Sequence, residues 1–244
     1  MEGGLVSPRT KGTPQSSPLS PLLSNILLDE LDQELERRNH LFVRYADDCN
    51  VYVQSKAAGE RVMASLERFL SKRLRLRIKR DKSAVARPSD RTFFGYTFSP
   101  QRQPRLMVAP KSIRRLKAKL KPLFRHGRGM KLVDTIGRLN RVTRGWVAYF
   151  RLAGSAGHFR ELDKWIRRHL RAIQWRQWKT PRTRTRKLLE LGLPLFQARA
   201  VCNRSGPWRN AATPNMQFAL SNATLASMGF LSLTGEYQRL ADAS

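Results

Sequence analysis

An α+β fold class follows from three features of this 244-residue chain: short alternating apolar runs within positions 12–110, long helical stripes after them, and a charge balance that changes between the two parts. Residues 1–100 carry 17 Lys/Arg against 12 Asp/Glu, whereas residues 101–244 carry 30 against 6, a net of +24. With 41% apolar residues the chain has the material to offset the ordering entropy that keeps polycations disordered. The architecture expected is a partial sheet of hairpins packed on helices, followed by an all-α helical bundle.

A basic excess concentrated in one part points to a polyanion partner, and nucleic acid is the usual one. No apolar run of about eighteen residues is present, so no membrane span is expected. Met1-Glu2-Gly3-Gly4 lacks the basic start of a secretory signal. Cys49 and Cys202 form no CxxC pair, and His40, His126, His158 and His169 add no metal-ligand spacing to them. A reducing, cytoplasmic setting follows.

Along the chain, residues 1–11 read as an unpatterned leader. Pro18 and Pro21 beside Ser17 and Ser20 signal a helix start, and Leu22, Leu23, Ile26, Leu27, Leu31 and Leu35 carry it to about Arg38. Residues 42–46 and 50–53 read as strands joined by a tight turn centred on Asp47-Asp48. A helix from about Ala57 to Arg73 follows, then a strand-like alternation over Leu74–Ile78. Residues 93–98 and 105–108 suit a hairpin across the loop from Pro100 to Pro104. From Ser112 onward, three apolar stripes predict three helices: one through Leu116 and Leu120, one through Leu139 and Trp146, one through Trp165 and Ile173. Residues 180–186 read as a basic loop before a short helix near Lys187–Leu191, and a weak helical pattern runs through Met216–Met228.

Two adjacent carboxylates in a turn repel each other unless a cation lies between them. Magnesium takes hard oxygen ligands and keeps positions for phosphate, which suits nucleotidyl transfer. Asp-Asp alone is common in exposed turns, so its neighbours decide. Tyr45-Ala46-Asp47-Asp48, preceded by Gly12-Thr13-Pro14-Gln15 and followed by Asp81-Lys82-Ser83 and Phe93-Phe94-Gly95-Tyr96, resembles a reverse transcriptase palm. Leu139-Asn140-Arg141-Val142-Thr143-Arg144-Gly145-Trp146 and the run from Trp165 to Trp178 resemble a maturase domain. The ordered set is similar to the C-terminal portion of bacterial group II intron reverse transcriptase/maturases.

That resemblance implies a division into 12–110, the C-terminal part of the palm; 111–193, the maturase-specific domain X or thumb; and 194–244, a maturase extension. Asp47 and Asp48 would be the catalytic ligands of Mg2+. Gln15 and Lys82 would contact nucleotide and template, and Phe94 and Gly95 would form the primer grip. The partners implied are group II intron RNA and a DNA primer or target, in the bacterial cytosol or nucleoid. Two departures stand out. Ser16-Ser17 replaces the usual Gly-Gly, where glycine permits close backbone approach. The fingers and the strand with a third metal-binding aspartate would precede Gly12, so a separate N-terminal segment in trans is a further candidate partner. The isolated chain is then expected to polymerise poorly or not at all, and the alternative is a catalytically dead RNA-binding splicing cofactor.

In the basic part, Arg114, Arg115 and Lys117 lie between the apolar positions of one helix, a layout suited to phosphate contacts. Arg141, Arg144, Arg171 and Arg176 interleave with tryptophans, and unpaired RNA bases stack on such aromatics. Trp146 and Trp165 fall on the apolar stripes and are expected in the core, while Trp175 and Trp178 suit either role. Arg182, Arg184 and Arg186, in the expected basic loop, are candidates for a phosphate clamp.

Overall fold

The computed structural model describes residues 18–202 and 206–243. The chain divides into two compact units, Met1–Arg87 and Pro88–Ser244.

In the first unit, helix α1 (Ser20–Arg37) starts with a proline in its first turn, where the missing N–H is unneeded. Asn39, at φ 54°, then turns the chain into an antiparallel hairpin of β1 (Leu41–Tyr45) and β2 (Asp48–Tyr52). Helix α2 (Lys56–Lys72) is capped by Ser55, whose Oγ accepts the Ala58 N–H at 3.1 Å. Strand alternation sorts the hairpin's two faces. Phe42, Cys49 and Val51 pack with Leu66, Phe69 and Leu70 of α2 around buried Leu31, Leu35 and Leu74. The opposite face leaves Leu41, Val43, Tyr45 and Tyr52 exposed, as are Leu22, Leu23, Ile26 and Leu27 of α1.

The strand expected over Leu74–Ile78 does not form. Burial alternates there as the sequence alternates, with Leu74, Leu76 and Ile78 turned in, but no ladder partner lies alongside among the described residues and Arg75 sits at φ 56°. Alternation reports which side is covered; a strand also needs a neighbour to satisfy its backbone.

The second unit opens with a short antiparallel hairpin, β3 (Tyr96–Phe98) and β4 (Leu106–Val108). Three long helices follow: α3 (Pro110–His126), α4 (Leu132–Tyr149) and α5 (Gly157–Gln177). Their apolar stripes meet in one core containing Leu116, Leu120, Leu139, Phe159, Ile166 and Leu170, and the hairpin contributes Tyr96 and Val108 to it. Trp146 and Trp165 are partly buried against that core, as their stripe positions predicted.

Residues 180–186 are not a loop. Thr180 caps helix α6 (Pro181–Glu190), with Pro181 in the first turn. A run rich in charge disguised a standard helix start. Helix α6, α7 (Leu195–Cys202) and α9 (Pro214–Ala219) enclose a second core around Trp175, Trp178, Leu188 and Met216, so both open tryptophans are structural. Between them lies the one-turn α8 (Pro207–Asn210), and α10 (Asn222–Ser227) follows.

A last helix, α11 (Leu233–Asp242), was not anticipated and returns to the main core. Leu233 is buried there, and the Tyr237 ring stacks on Phe159 at 4.5 Å. Asp163 of α5 caps it from outside, accepting the N–H groups of Leu233 and Thr234 at 2.8 and 3.0 Å.

Candidate functional site

The acidic doublet lies at the tip of the first hairpin. Tyr45 pairs with Asp48, so the loop is only Ala46-Asp47, and Asp48 already belongs to β2 rather than to the turn. Ala46 is at φ 51°, a left-handed conformation that costs an L residue about 1–2 kcal/mol. Both carboxylates are exposed.

A cation missed by the sequence reading holds this tip. Arg44 of β1 donates from Nε to Asp32 Oδ1 of α1 at 2.7 Å. Its Nη1 donates to the Ala46 carbonyl at 2.9 Å and to Asn25 Oδ1 at 3.2 Å. One planar guanidinium therefore ties α1 to the turn that carries Asp47. The hydrogen bond to Asp32 raises the Arg44 pKa against the opposing effect of burial. Across the ladder from Arg44, burial first and then Asp32 push the Cys49 thiol up to about 11, so it stays protonated. An Asp on α1 and an Arg two residues before the turn gave no periodic signal linking them.

Asp47 and Asp48 supply hard, anionic oxygens suited to Mg2+, which binds one or two carboxylates and takes further ligands from phosphate and water. Among the described residues, no group of three or more His, Cys, Asp or Glu comes together to hold a metal ion by itself. The donor set fits magnesium shared with a substrate, not an all-protein cage.

Lys82 is exposed on a turn whose N–H groups at Lys82 and Ser83 both donate to the Lys79 carbonyl at 3.0 Å. That segment lies close to α2 within the same unit: a Cβ added at Gly59 would stand 2.5 Å from Val85 Cγ1. Gln15, with Ser16 and Ser17, lies outside the described residues.

Phe94 and Gly95 occupy a second two-residue turn, in the other unit. Phe93 and Tyr96 exchange backbone hydrogen bonds at 3.0 and 2.9 Å around them, and both turn residues have positive φ, 52° and 77°. Gly95 has no room for a side chain, since an added Cβ would meet Ser112 Oγ at 2.7 Å and Phe150 Cζ at 3.1 Å. The Tyr149 hydroxyl donates to the Phe94 carbonyl at 3.0 Å, and Phe94 remains 44% exposed as a residue. A strained backbone held by its surroundings, with a ring presented to solvent, is suited to a contact role.

The basic candidates separate into two groups. Arg114, Arg115, Arg141, Arg144, Arg176, Arg182 and Arg186 are exposed. Lys117 is half-buried, its Nζ 5.5 Å from the centre of the Trp165 ring. Arg171 is buried and donates from Nε to the Leu220 carbonyl at 2.9 Å, so it serves packing rather than phosphate. Desolvation lowers its pKa, with Arg167 adding to the effect. Arg184 lies 4.6 Å from the centre of the Trp175 ring, against the second core, instead of in a clamp with Arg182 and Arg186. Helical periodicity puts Arg184 on a different face from those two.

The described residues thus comprise a strand–turn–strand presenting adjacent carboxylates in one unit and a basic helical bundle carrying aromatic clusters in the other. Residues 2–98 match the family model for reverse transcriptase (RNA-dependent DNA polymerase). Residues 113–191 match that for the group II intron, maturase-specific domain. No curated protein matches the chain. The chain belongs to the group II intron reverse transcriptase/maturases. No helix among the described residues is long and apolar enough to cross a membrane.

Proposed function

We propose that this chain acts in RNA-templated addition of deoxynucleotides to a primer 3′ hydroxyl and in binding group II intron RNA, with Asp47 and Asp48 as the magnesium ligands. The observation that carries the polymerase half is the carboxylate pair at the tip of a hairpin, Asp47 in a two-residue turn anchored by Arg44 and Asp48 at the start of β2. Magnesium bound there would lower the pKa of the attacking hydroxyl and offset charge on the phosphate oxygens. The chain's own residues position the reactants. Lys82 offers an exposed cation for triphosphate charge, the Phe94-Gly95 turn offers a ring and backbone for the primer end, and Gln15 is assigned to the nucleotide pocket. The exposed arginines of α3, α4 and α6 are assigned to intron phosphates in the maturase role.

Two carboxylates leave most of a metal pair's coordination to water and substrate, so slow extension by this chain alone is expected. The test is primer extension on an RNA template with Mg2+, run beside RNA binding. Extension that disappears in Asp47→Ala and Asp48→Ala, with RNA affinity unchanged, is the expected result. Extension indifferent to both substitutions would overturn the site. No extension with intact RNA binding would remove the polymerase half and leave the maturase half. Binding should weaken steeply with salt, as counterion release requires.

A further inference from the structure

We infer that the exposed ring of Trp208, with the Arg168 guanidinium laid on it, is a stacking site for one unpaired nucleotide of a folded RNA. This rests on the proposed RNA-binding role of the helical unit.

Trp208 is the most exposed of the five tryptophans, with 38% of the residue's surface accessible. The other four are buried in or packed against the cores. It sits on α8, a helix of only four residues, and is held there by contacts from α5.

Its surroundings hold it rigidly. Arg168 of α5 lies 4.1 Å from the ring centre and donates from Nε and Nη2 to the Trp208 carbonyl at 3.2 and 3.1 Å. The guanidinium is thereby fixed against the indole, and unpaired bases stack on aromatic rings and guanidinium groups. His169 also approaches the ring, tilted by 51° with the ring centres 4.6 Å apart, and is itself stacked flat on Phe124 at 4.2 Å. A ring locked in this way loses little freedom when a base stacks on it.

Charge selects the ligand. Arg168 lies against the ring, and the residue that follows Trp208 in the chain, Arg209, is an exposed cation. An apolar peptide would find a cationic rim there. A nucleotide brings a π face for the indole and a phosphate for the rim.

The test uses the full chain with three probes: an RNA stem–loop, a blunt RNA duplex with the same number of phosphates, and the DNA version of the stem–loop. Tryptophan emission should be quenched by the RNA stem–loop. Trp208→Leu, which keeps apolar bulk, should bind that probe about five- to a hundredfold more weakly and lose the quenching, while duplex affinity and salt slope stay unchanged. Trp208→Phe should restore most of the affinity. Equal dependence on Trp208 with the DNA probe would keep the base site and assign it to unpaired strands of either sugar. Unchanged stem–loop binding by Trp208→Leu, or equal losses for stem–loop and duplex, would overturn the proposal while leaving RNA binding intact. If the wild-type chain binds neither RNA, the underlying RNA-binding reading fails, and this site with it.

Discussion

Replacing Asp163 by alanine should detach the C-terminal helix and destabilise the helical unit. The carboxylate side chain is 2% exposed and lies 3.8 Å from an Arg167 nitrogen. It accepts the N–H groups of Leu233 and Thr234 at the start of α11. Hydrogen bonds to a charged group contribute about 1.5–3 kcal/mol each, and these two share one acceptor group, so they do not add fully. Loss of an N-cap alone costs about 0.5–2 kcal/mol. About 3 kcal/mol is expected for Asp163→Ala and about half that for Asp163→Asn, which retains one acceptor oxygen. For a unit of this size each kcal/mol moves Tm by about 2–4 °C, so Asp163→Ala should melt about 6–12 °C lower. Hydrogen exchange should accelerate at residues 233–242 before the rest of the unit. A Tm within about 2 °C of wild type, with exchange over α11 unchanged, would refute the account of this cap.

Other expectations concern the turn and the aromatic cluster. Arg44→Lys keeps the charge but cannot make the same forked contact to Asp32 and the Ala46 carbonyl. It should reduce Asp47-dependent extension about tenfold (about 1.4 kcal/mol) without moving the melting of the helical unit; equal extension by the variant would show that the tie does not position the turn. Burial first, then Arg168, Lys121 and Arg176, lowers the His169 pKa from 6.5 to about 4. The unfolded chain then binds the extra proton between those values, so stability present above pH 6.5 is lost as pH falls toward 4. The loss should be on the order of 1–2 kcal/mol after allowing for partial exposure. His169→Phe keeps the stack and should flatten the fall in Tm over that range; an identical pH dependence in wild type and variant would count against it.

Local rules made much of this protein legible. The proline-led start of α1, the hairpin near the acidic doublet and the three long stripes of the bundle are short-range patterns, and each formed close to its expected place, the hairpin turn falling one residue early so that Asp48 lies in β2. Trp146 and Trp165 followed for the same reason, since a stripe position states which side of a helix is covered. Errors arose where a local pattern needed a distant partner. Leu74–Ile78 alternates but has no strand beside it among the described residues, and Arg171 and Arg184 looked like phosphate ligands until the second core gave one a carbonyl and the other an indole.

The sequence by itself determined the family, the acidic pair and the concentration of positive charge in the later part, because motifs and composition survive without coordinates. Tertiary structure decided which cations are free to meet a polyanion and which are used internally. It alone joined Arg44 to Asp32 across the first unit, Asp163 to the start of α11, and Arg168 to Trp208. Those pairs lie 12, 70 and 40 residues apart, measured for Asp163 to Leu233. Contacts at such separations depend on how helices pack, and no 3.6- or 2-residue period encodes them.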